Sequence, residues 1–207
     1  MIAPDFLLDS TSDASLTVCL AHGAGAPMDS PFMQAFAEGI AAAGLRAARF
    51  EFPYMAERRQ NGVKKPPDRG PVLIDAWQVA IEVLGAEKLV IGGKSLGGRI
   101  ASMVADGMGV RGLVCLGYPF HAPGKEVDPL RVRHLNDLNT PTLICQGTRD
   151  PFGGRNEVVS YRLSPAIRVA WVEDGDHGFK PRKKLGLTEQ DNWDRTIATV
   201  VSFVKAL

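Results

Sequence analysis

A serine flanked by glycines stands where an apolar run meets a helix-like segment, in the stretch VIGGKSLGGRI at 90–100. The pattern Gly93-x-Ser95-x-Gly97 is typical of a nucleophile elbow, the sharp strand-to-helix turn that presents a catalytic serine. Strand and helix pass so close at such a turn that side chains two residues either side of the serine would clash. The two glycines therefore favour Ser95 as a nucleophile.

The same stretch contains Gly93-Lys94-Ser95, which resembles the end of a phosphate-binding P-loop. That loop needs another glycine five residues before Gly93, because its backbone amides wrap around the phosphates. Lys88 occupies that position, and the apolar run 89–91 leads directly into the turn, which leaves no residues to build the loop. The P-loop is excluded, and the elbow is retained.

A serine hydroxyl becomes a strong nucleophile when an imidazole accepts its proton and a carboxylate fixes the tautomer of that imidazole. Asp150, in GTRDPFG, and His177, in EDGDHGF, each follow a predicted strand. The chain order Ser95, Asp150, His177 is the order of nucleophile, acid and base in the α/β-hydrolase fold. We predict that these three residues form a catalytic triad.

Both partners of the serine have structural alternatives. Asp150 precedes a proline, and an aspartate in that place commonly caps a helix. Asp174 and Asp176 are competing carboxylates, although Asp176 is adjacent to His177 and would have to reach round to its ring. His177 itself could be an ordinary loop histidine. The placement of the side chains has to separate these alternatives.

Negative charge that develops on a substrate oxygen is stabilised by two backbone N–H groups directed at it. We expect one from Leu96, directly after the nucleophile, and the other from Ala24 in the glycine-rich turn HGAGA at 22–26. His22 is expected to brace that turn. Tyr118 ends another apolar run and is a candidate substrate contact, whereas His121 and His134 are expected at the surface or beside the substrate.

These residues can meet if the chain forms a mainly parallel sheet with helices on both faces, which continuous apolar runs separated by helix-like segments predict. Ligands of such sheets bind at the carboxyl ends of the strands. The predicted strands are 16–22, 46–52, 88–93, 112–118, 141–147 and 167–174. The predicted helices are 32–44, 72–85, 96–109, 155–163 and 190–207. We predict one α/β-hydrolase domain spanning residues 1–207.

Composition limits the class of protein. The 207 residues include 24 basic and 23 acidic ones, a balance that indicates no general affinity for nucleic acid or for an anionic membrane. The N-terminus lacks the pattern of a signal peptide, and no run approaches the length of a membrane span. The three cysteines lie in apolar runs without metal-ligand spacing and are expected to be buried thiols: Cys19, Cys115 and Cys145. We predict a cytoplasmic protein without metal or cofactor.

Six blocks spread over nearly the whole chain carry a family resemblance: LAHGAGAPMDSPFM, FPYM, GGKSLGGRIAS, LGYPFHAPGK, GTRDPFG and GDHGF. The chain resembles the small α/β-hydrolases of the KAT8-regulatory/testis-expressed type and, more distantly, the dienelactone hydrolases. The resemblance implies Ser95, Asp150 and His177 as the triad. Dienelactone hydrolases carry cysteine at the nucleophile position, so their substrate does not transfer. Some eukaryotic relatives are scaffold-like subunits, so an intact triad does not by itself prove turnover.

Two segments bear on the substrate. About two dozen residues separate Tyr118 from Pro141, fewer than the roughly 50 residues of a small lid domain. We therefore predict an open site for small or exposed acyl groups. The polar segment 53–70 is predicted to be a loop, and its basic residues are either solvated surface or contacts to an anionic substrate or an acidic partner: Arg58, Arg59, Lys64, Lys65 and Arg69.

These features predict a serine hydrolase that cleaves a small carboxylic ester or related acyl bond through an acyl-enzyme intermediate, with an anionic substrate as one option. Its expected partner is the small-molecule acyl substrate, not nucleic acid or a membrane. The alternative is a non-catalytic interaction module that keeps the fold and docks a partner through the basic segment 53–70.

Overall fold

The computed structural model describes residues 3–10 and 14–207, which form one seven-stranded sheet covered by helices. The strands are β1 (Phe6–Asp9), β2 (Thr17–Ala21), β3 (Arg46–Phe50), β4 (Leu89–Lys94), β5 (Gly112–Leu116), β6 (Thr142–Gly147) and β7 (Ile167–Val172). Their order is β1-β3-β2-β4-β5-β6-β7. Strands β2 to β7 are parallel, and β1 pairs antiparallel with β3. The mainly parallel sheet that the sequence predicts is confirmed.

Helices lie on both faces of this sheet. They are α1 (Pro31–Ala42), α2 (Pro53–Asn61), α3 (Gly70–Leu84), α4 (Leu96–Met108), α5 (Pro129–Val132), α6 (Arg155–Val158) and α7 (Glu189–Lys205). Helices α3 and α4 pack on one face, and α1 and α7 pack on the other. Within the described residues, no helix combines the length and the apolar character that crossing a membrane requires.

Side-chain alternation along the strands divides the apolar residues between the two faces. In β2, Cys19 packs in the cluster under α3 and α4, whereas Val18 and Leu20 pack in the cluster under α1 and α7. Trp77 of α3 and Phe36 of α1 are fully buried at the centres of these two layers. Because both faces are covered, the central strands are apolar throughout, which is the pattern that the sequence shows.

The polar segment predicted as a loop begins as a helix. Pro53 occupies the first turn of α2, where its fixed φ suits a helix start and its missing N–H is not needed. Tyr54 and Met55 are buried on the inner side of the helix, and the helix ends at Gly62, which has a φ of 73°. The prediction of a loop was therefore wrong for 53–61, because prolines and charges masked one short amphipathic helix.

Two further boundaries differ from the predictions. Strand β1 was not predicted; it is a short edge strand in which Leu7 and Leu8 are exposed, so its sequence shows no buried face. The predicted helix 155–163 is confined to α6, Arg155–Val158, and continues as turns. Consecutive β-branched valines followed by Ser160 are poor helix formers, which explains the early end.

The segment between β5 and β6, all of which is described, forms α5 and a 3₁₀ turn at Arg133–Asn136 and no separate lid domain. The three cysteines are buried and free, as expected. Burial raises the pKa of all three thiols, that of Cys145 to about 12, so they stay protonated and unreactive at neutral pH.

The turn from β4 into α4 brings three backbone segments into contact. Ser95 lies at its tip with φ 49° and ψ −110°, a conformation that side-chain-bearing residues rarely adopt. A Cβ added to Gly93 would lie 2.0 Å from the Ala21 carbonyl oxygen, and one added to Gly97 would lie 2.2 Å from it. Both glycines are therefore required by the approach of β4 and α4 to β2.

We predict that Gly97→Ala destabilises the protein by at least about 2 kcal/mol, because the new methyl group meets fixed backbone rather than a flexible side chain. Gly107 lies in the same helix with no atom within 4 Å of an added Cβ. Gly107→Ala should leave stability unchanged or raise it by up to about 1 kcal/mol. Urea unfolding of both variants tests this, and equal effects would contradict the close approach.

Candidate active site

The structure brings together the three residues that the sequence predicts as a triad. Ser95 stands at the elbow tip, Asp150 follows β6 and His177 follows β7. His177 Nε2 lies 2.9 Å from Ser95 Oγ, and His177 Nδ1 lies 2.8 Å from Asp150 Oδ2. The Asp150 side chain is fully buried, whereas the imidazole is 22% exposed. A carboxylate that accepts from Nδ1–H leaves Nε2 free to accept the serine proton.

The two carboxylate oxygens of Asp150 have different partners. Oδ1 accepts from the backbone N–H of Phe152 at 2.8 Å, which is a turn contact and not the helix cap considered above, because no helix begins at Pro151 and α6 starts at Arg155. Oδ2 accepts from His177. Of the competing carboxylates, Asp174 pairs with Arg149 and Arg182, and Asp176 accepts from backbone amides of its own loop. Neither contacts the imidazole.

A buried glutamine that the sequence analysis did not single out supports this carboxylate. Gln146 Nε2 donates to Asp150 Oδ2 at 3.0 Å and to the backbone oxygens of Tyr118 and Gly153. Its Oε1 accepts from the Tyr118 N–H at 2.7 Å. The signal in the sequence was a polar residue inside the apolar run PTLICQG. Gln146 thus connects the carboxyl ends of β5 and β6 and orients the acid.

The glycine-rich turn after β2 lies beside the nucleophile. Ala21 pairs with Gly93 in the sheet, so the residues that follow each strand run next to one another. A Cβ added to Gly23 would lie 3.8 Å from Ser95 Cβ. Within the described chain, the N–H groups of Ala24 and Leu96 donate no backbone hydrogen bond. Both amides are therefore unoccupied and remain candidates for the predicted oxyanion contacts.

His22 and Tyr54 hold the carbonyl side of that turn. The Phe52 N–H donates to His22 Nε2 at 3.1 Å, so the proton resides on Nδ1, which donates to the Gly23 oxygen at 2.6 Å. The Tyr54 hydroxyl donates to the Ala24 oxygen at 3.1 Å and lies 3.4 Å from the Gly23 oxygen. C=O and N–H point in opposite directions in a trans peptide. Holding the Gly23 oxygen therefore fixes the direction of the Ala24 N–H.

A cleft of about 420 Å³ opens in front of the triad. Its walls are mainly apolar, with Phe32 and Met33 from α1, Phe152 beside the imidazole and Trp193 from α7. Phe152 lies against the ring of His177, with 4.2 Å between ring centroids. Ser95, His177, Lys94 and Glu189 are its chemically functional lining residues. The cleft is thus small and largely apolar, with a few polar or charged side chains at its lining.

Three predicted substrate contacts lie outside this lining. The Tyr118 side chain is fully buried, and its hydroxyl donates to the Arg131 backbone oxygen at 2.6 Å. Arg58 and Arg59 line a separate depression, and Arg59 pairs with Glu51 at 2.7 Å and with Asp29 at 2.9 Å. The structure does not place these three side chains at the cleft: the tyrosine is packed in the interior, and Arg59 forms ion pairs on another surface.

A second serine–histidine pair occurs on α4. Ser102 Oγ lies 2.8 Å from His134 Nε2 and donates to the Arg99 backbone oxygen at 2.7 Å. Ser102 is only 2% exposed, and among the described residues no carboxylate hydrogen-bonds to His134. His121, which like His134 was expected at the surface or beside the substrate, is 3% exposed. Neither histidine lines the cleft, and the contact between His134 and Ser102 fastens the segment between β5 and β6 to α4.

Among the residues at 3–10 and 14–207, no group of three or more histidine, cysteine, aspartate or glutamate side chains is arranged to hold a metal ion. The structure aligns the Ser95 hydroxyl, the His177 imidazole and the buried Asp150 carboxylate beside the cleft, together with the unoccupied Ala24 and Leu96 amides; Lys94 and Glu189 line the cleft as well. This set is sufficient for nucleophilic acyl transfer.

Comparison with known proteins places this architecture among hydrolases. A sequence model of the family described as "Alpha/beta hydrolase domain" matches residues 14–205. The dienelactone hydrolase from Anabaena variabilis ATCC 29413 is similar in structure, with a TM-score of 0.75, 20% identity and 99% of each chain covered. An alpha-beta serine hydrolase homologue from Coxiella burnetii has a TM-score of 0.71 and 17% identity over 98% of this chain and 90% of that chain.

A third similar structure is XC6422 from Xanthomonas campestris, described as a member of the a/b serine hydrolases without a lid. Its TM-score is 0.64, with 17% identity over 98% of this chain and 87% of that chain. At these identities, the structural likeness shows the fold. It agrees with the absence of a lid domain between β5 and β6 in the described chain.

Burial lowers the pKa of His22 below its ordinary value of 6.5. The unfolded chain therefore binds a proton here at a higher pH than the folded protein does, and the stability contributed by neutral His22 is lost as pH falls from 6.5 through the folded pKa. We predict that His22→Gln flattens the fall in unfolding free energy between about pH 7.5 and about pH 5. Urea titrations at both pH values test this; an unchanged pH dependence would contradict it. The His22→Gln variant should keep part of the pH dependence, because burial also lowers the pKa of His134.

Proposed function

Because the chain belongs to the alpha/beta hydrolase family, we propose that it is a serine hydrolase that cleaves a small carboxylic ester or a related acyl bond. The observation that supports this most directly is the continuous hydrogen-bonded series from Ser95 Oγ through His177 to Asp150, with distances of 2.9 and 2.8 Å. It opens onto a cleft that an ester could enter.

In the proposed reaction, Ser95 Oγ attacks the carbonyl carbon while His177 Nε2 accepts the serine proton. The amides of Ala24 and Leu96 stabilise the negative charge on the carbonyl oxygen of the tetrahedral intermediate. His177 then gives its proton to the leaving alcohol, and an acyl-enzyme forms on Ser95. Water, deprotonated by the same imidazole, attacks that acyl group and releases the acid and the free serine. Asp150 stabilises the transient imidazolium and keeps its proton on Nδ1.

The position of Ser95 at the start of α4 favours this chemistry in two ways. The positive φ holds the hydroxyl out of the helix and towards the imidazole. The first-turn amides of the helix, including that of Leu96, carry partial positive charge directed at the reacting oxygen. These contributions are present before substrate binds, so the site needs little rearrangement to react.

The lining of the cleft bears on substrate class. Phe32, Phe152 and Trp193 favour an apolar acyl or alcohol group of modest size. The basic residues of segment 53–70 offer little support for an anionic substrate, because Arg58 and Arg59 do not line the cleft and Lys65 pairs with Glu57. We therefore propose a neutral ester rather than the anionic one that the charge run suggested.

The alternative function is a non-catalytic module that docks a partner through the basic segment. Such a module would need exposed charge but no ordered serine, imidazole and carboxylate. Arg59 forms ion pairs with Glu51 and Asp29 within the protein. The Ser95–His177–Asp150 arrangement, in contrast, is suited to acyl transfer. The geometry at the cleft thus favours the enzyme.

We predict that a fluorophosphonate probe labels the wild-type protein and that Ser95→Ala abolishes labelling with little change in thermal stability. Ser102→Ala is the matched control, since Ser102 also contacts a histidine but has no carboxylate behind it. This variant should be labelled like the wild type. Mass spectrometry of the labelled peptide identifies the site. A folded wild-type protein that is inert to the probe and to short p-nitrophenyl esters would favour the docking module.

We predict that Asp150→Asn lowers kcat by about 10⁴-fold, because an amide no longer fixes the imidazole tautomer. Asp176→Asn is the comparison: an asparagine oxygen can still accept from the Gly178 and Lys180 amides, so its loss should be far smaller. Steady-state hydrolysis of a short ester, with circular dichroism to verify folding, gives both values. Similar losses in the two variants would remove Asp150 from the proposed triad.

A further inference from the structure

Lys94, the residue before the nucleophile, carries an ammonium group that the acyl-transfer steps do not use. Its Nζ donates to the backbone oxygen of His177 at 2.5 Å. The same atom lies 5.5 Å from the ring centroid of Phe32 and 5.9 Å from that of Phe179. Among the described residues, no carboxylate oxygen comes within ion-pair distance of Lys94. The cation is held by a carbonyl and two aromatic faces.

Placing a cation here is costly, because a charge removed from water without a direct counter-ion loses solvation free energy. The surroundings nevertheless make room for it. Gly117 has φ 70°, and a Cβ there would lie 2.9 Å from Lys94 Nζ and 3.0 Å from the His177 backbone oxygen. An apolar side chain at position 94 would fill the space without this cost. The contact with His177 is what such a replacement would lose.

Other contacts hold the neighbours of His177 but not its own main chain. Asp176 accepts from the Gly178 and Lys180 amides, and Trp193 Nε1 donates to the Gly178 oxygen at 3.0 Å. Within the described chain, the hydrogen bond from Lys94 is the one made to the main chain of His177. This hydrogen bond therefore holds the main chain of His177 next to the Cα atom that carries the imidazole.

We propose that Lys94 is a positioning residue whose ammonium holds the His177 carbonyl and thereby keeps the imidazole between Ser95 and Asp150. The inference rests on the proposed function, since the placement of His177 matters to turnover in a serine hydrolase. A hydrogen bond from a charged donor is about twice as strong as one from a neutral amine. Deprotonation of Lys94 should therefore loosen the imidazole of His177, even though the neutral amine remains in place.

The pH dependence follows from the surroundings of the amine. Burial lowers the pKa of Lys94 to about 8, and the carboxylates of Asp150 and Asp176 act in the opposite direction. His177 is the other titratable group in direct contact, and Glu189 at the start of α7 lines the same cleft. The ammonium is therefore present below pH 8 and is lost as pH rises through that value. We expect kcat to decline over the same range.

The first test measures kcat and KM for a short neutral ester from about pH 6 to about pH 9.5 in the wild type, Lys94→Met and Lys88→Met. Lys94→Met should lower kcat roughly ten- to hundredfold at neutral pH, change KM by less than about twofold, and remove the decline above about pH 8. Lys88 is exposed near the opposite end of β4, so Lys88→Met loses the same charge and should behave as the wild type. A wild-type kcat or an unchanged alkaline decline in Lys94→Met overturns the proposal.

The second test does not depend on turnover. The Nδ1–H proton that His177 donates to Asp150 should give a low-field ¹H resonance in the wild type at neutral pH, and this resonance should be broadened by exchange in Lys94→Met. Lys94→Cys alkylated with 2-bromoethylamine restores an amine of similar length and should restore the resonance, while the buried native thiols stay unreacted. An unchanged resonance in Lys94→Met, or in Lys94→Cys before alkylation, overturns the role of Lys94. A wild-type protein inert to fluorophosphonate yet showing these changes would contradict the proposed function alone.

Discussion

The approach of the β4–α4 turn to the end of β2 is the constraint on which the site depends. The Ala21 carbonyl lies where side chains on Gly93 and Gly97 would have to go. That contact holds Ser95 in its strained conformation and sets the glycine-rich turn beside it. The proposed nucleophile and the proposed oxyanion amides are thus arranged by one backbone contact. A change there would disturb stability and chemistry together.

The supports around this contact are polar groups buried with their partners. Gln146 joins the ends of β5 and β6 and donates to Asp150, while His22 joins the turn after β2 to Phe52 beyond β3. Each uses both ends of its polar side chain, as burial requires. These contacts link neighbouring strands at the carboxyl edge of the sheet, where the loops after β6 and β7 place Asp150 and His177.

Arg59 and Lys94 both use their charge for contacts within the molecule. Arg59 looked like part of a docking or substrate-binding surface, yet it joins α2 to Glu51 and to Asp29 beyond the glycine-rich turn. Glu51 also accepts from the Met28 N–H at 3.2 Å, so this ion pair steadies the segment that leads from the turn into α1. Lys94 differs from Arg59 because its charge meets no carboxylate within the described part of the chain. Its ammonium instead donates to the backbone carbonyl of His177 in the loop after β7.

The parallel sheet, the elbow and the order of Ser95, Asp150 and His177 could be predicted from the sequence, because the alternation of strand-like and helix-like segments, glycine spacing and chain order are local or linear properties. The sequence favoured Asp150 by its position after a strand but left Asp174 and Asp176 as competitors, because which carboxylate reaches the imidazole depends on how two loops meet. Likewise, Tyr118, Arg58 and Arg59 had chemistry suited to a substrate but not the position. Burial of a side chain and pairing of a charge depend on residues far apart in the chain, so neither could be read from the sequence before the folded arrangement was known.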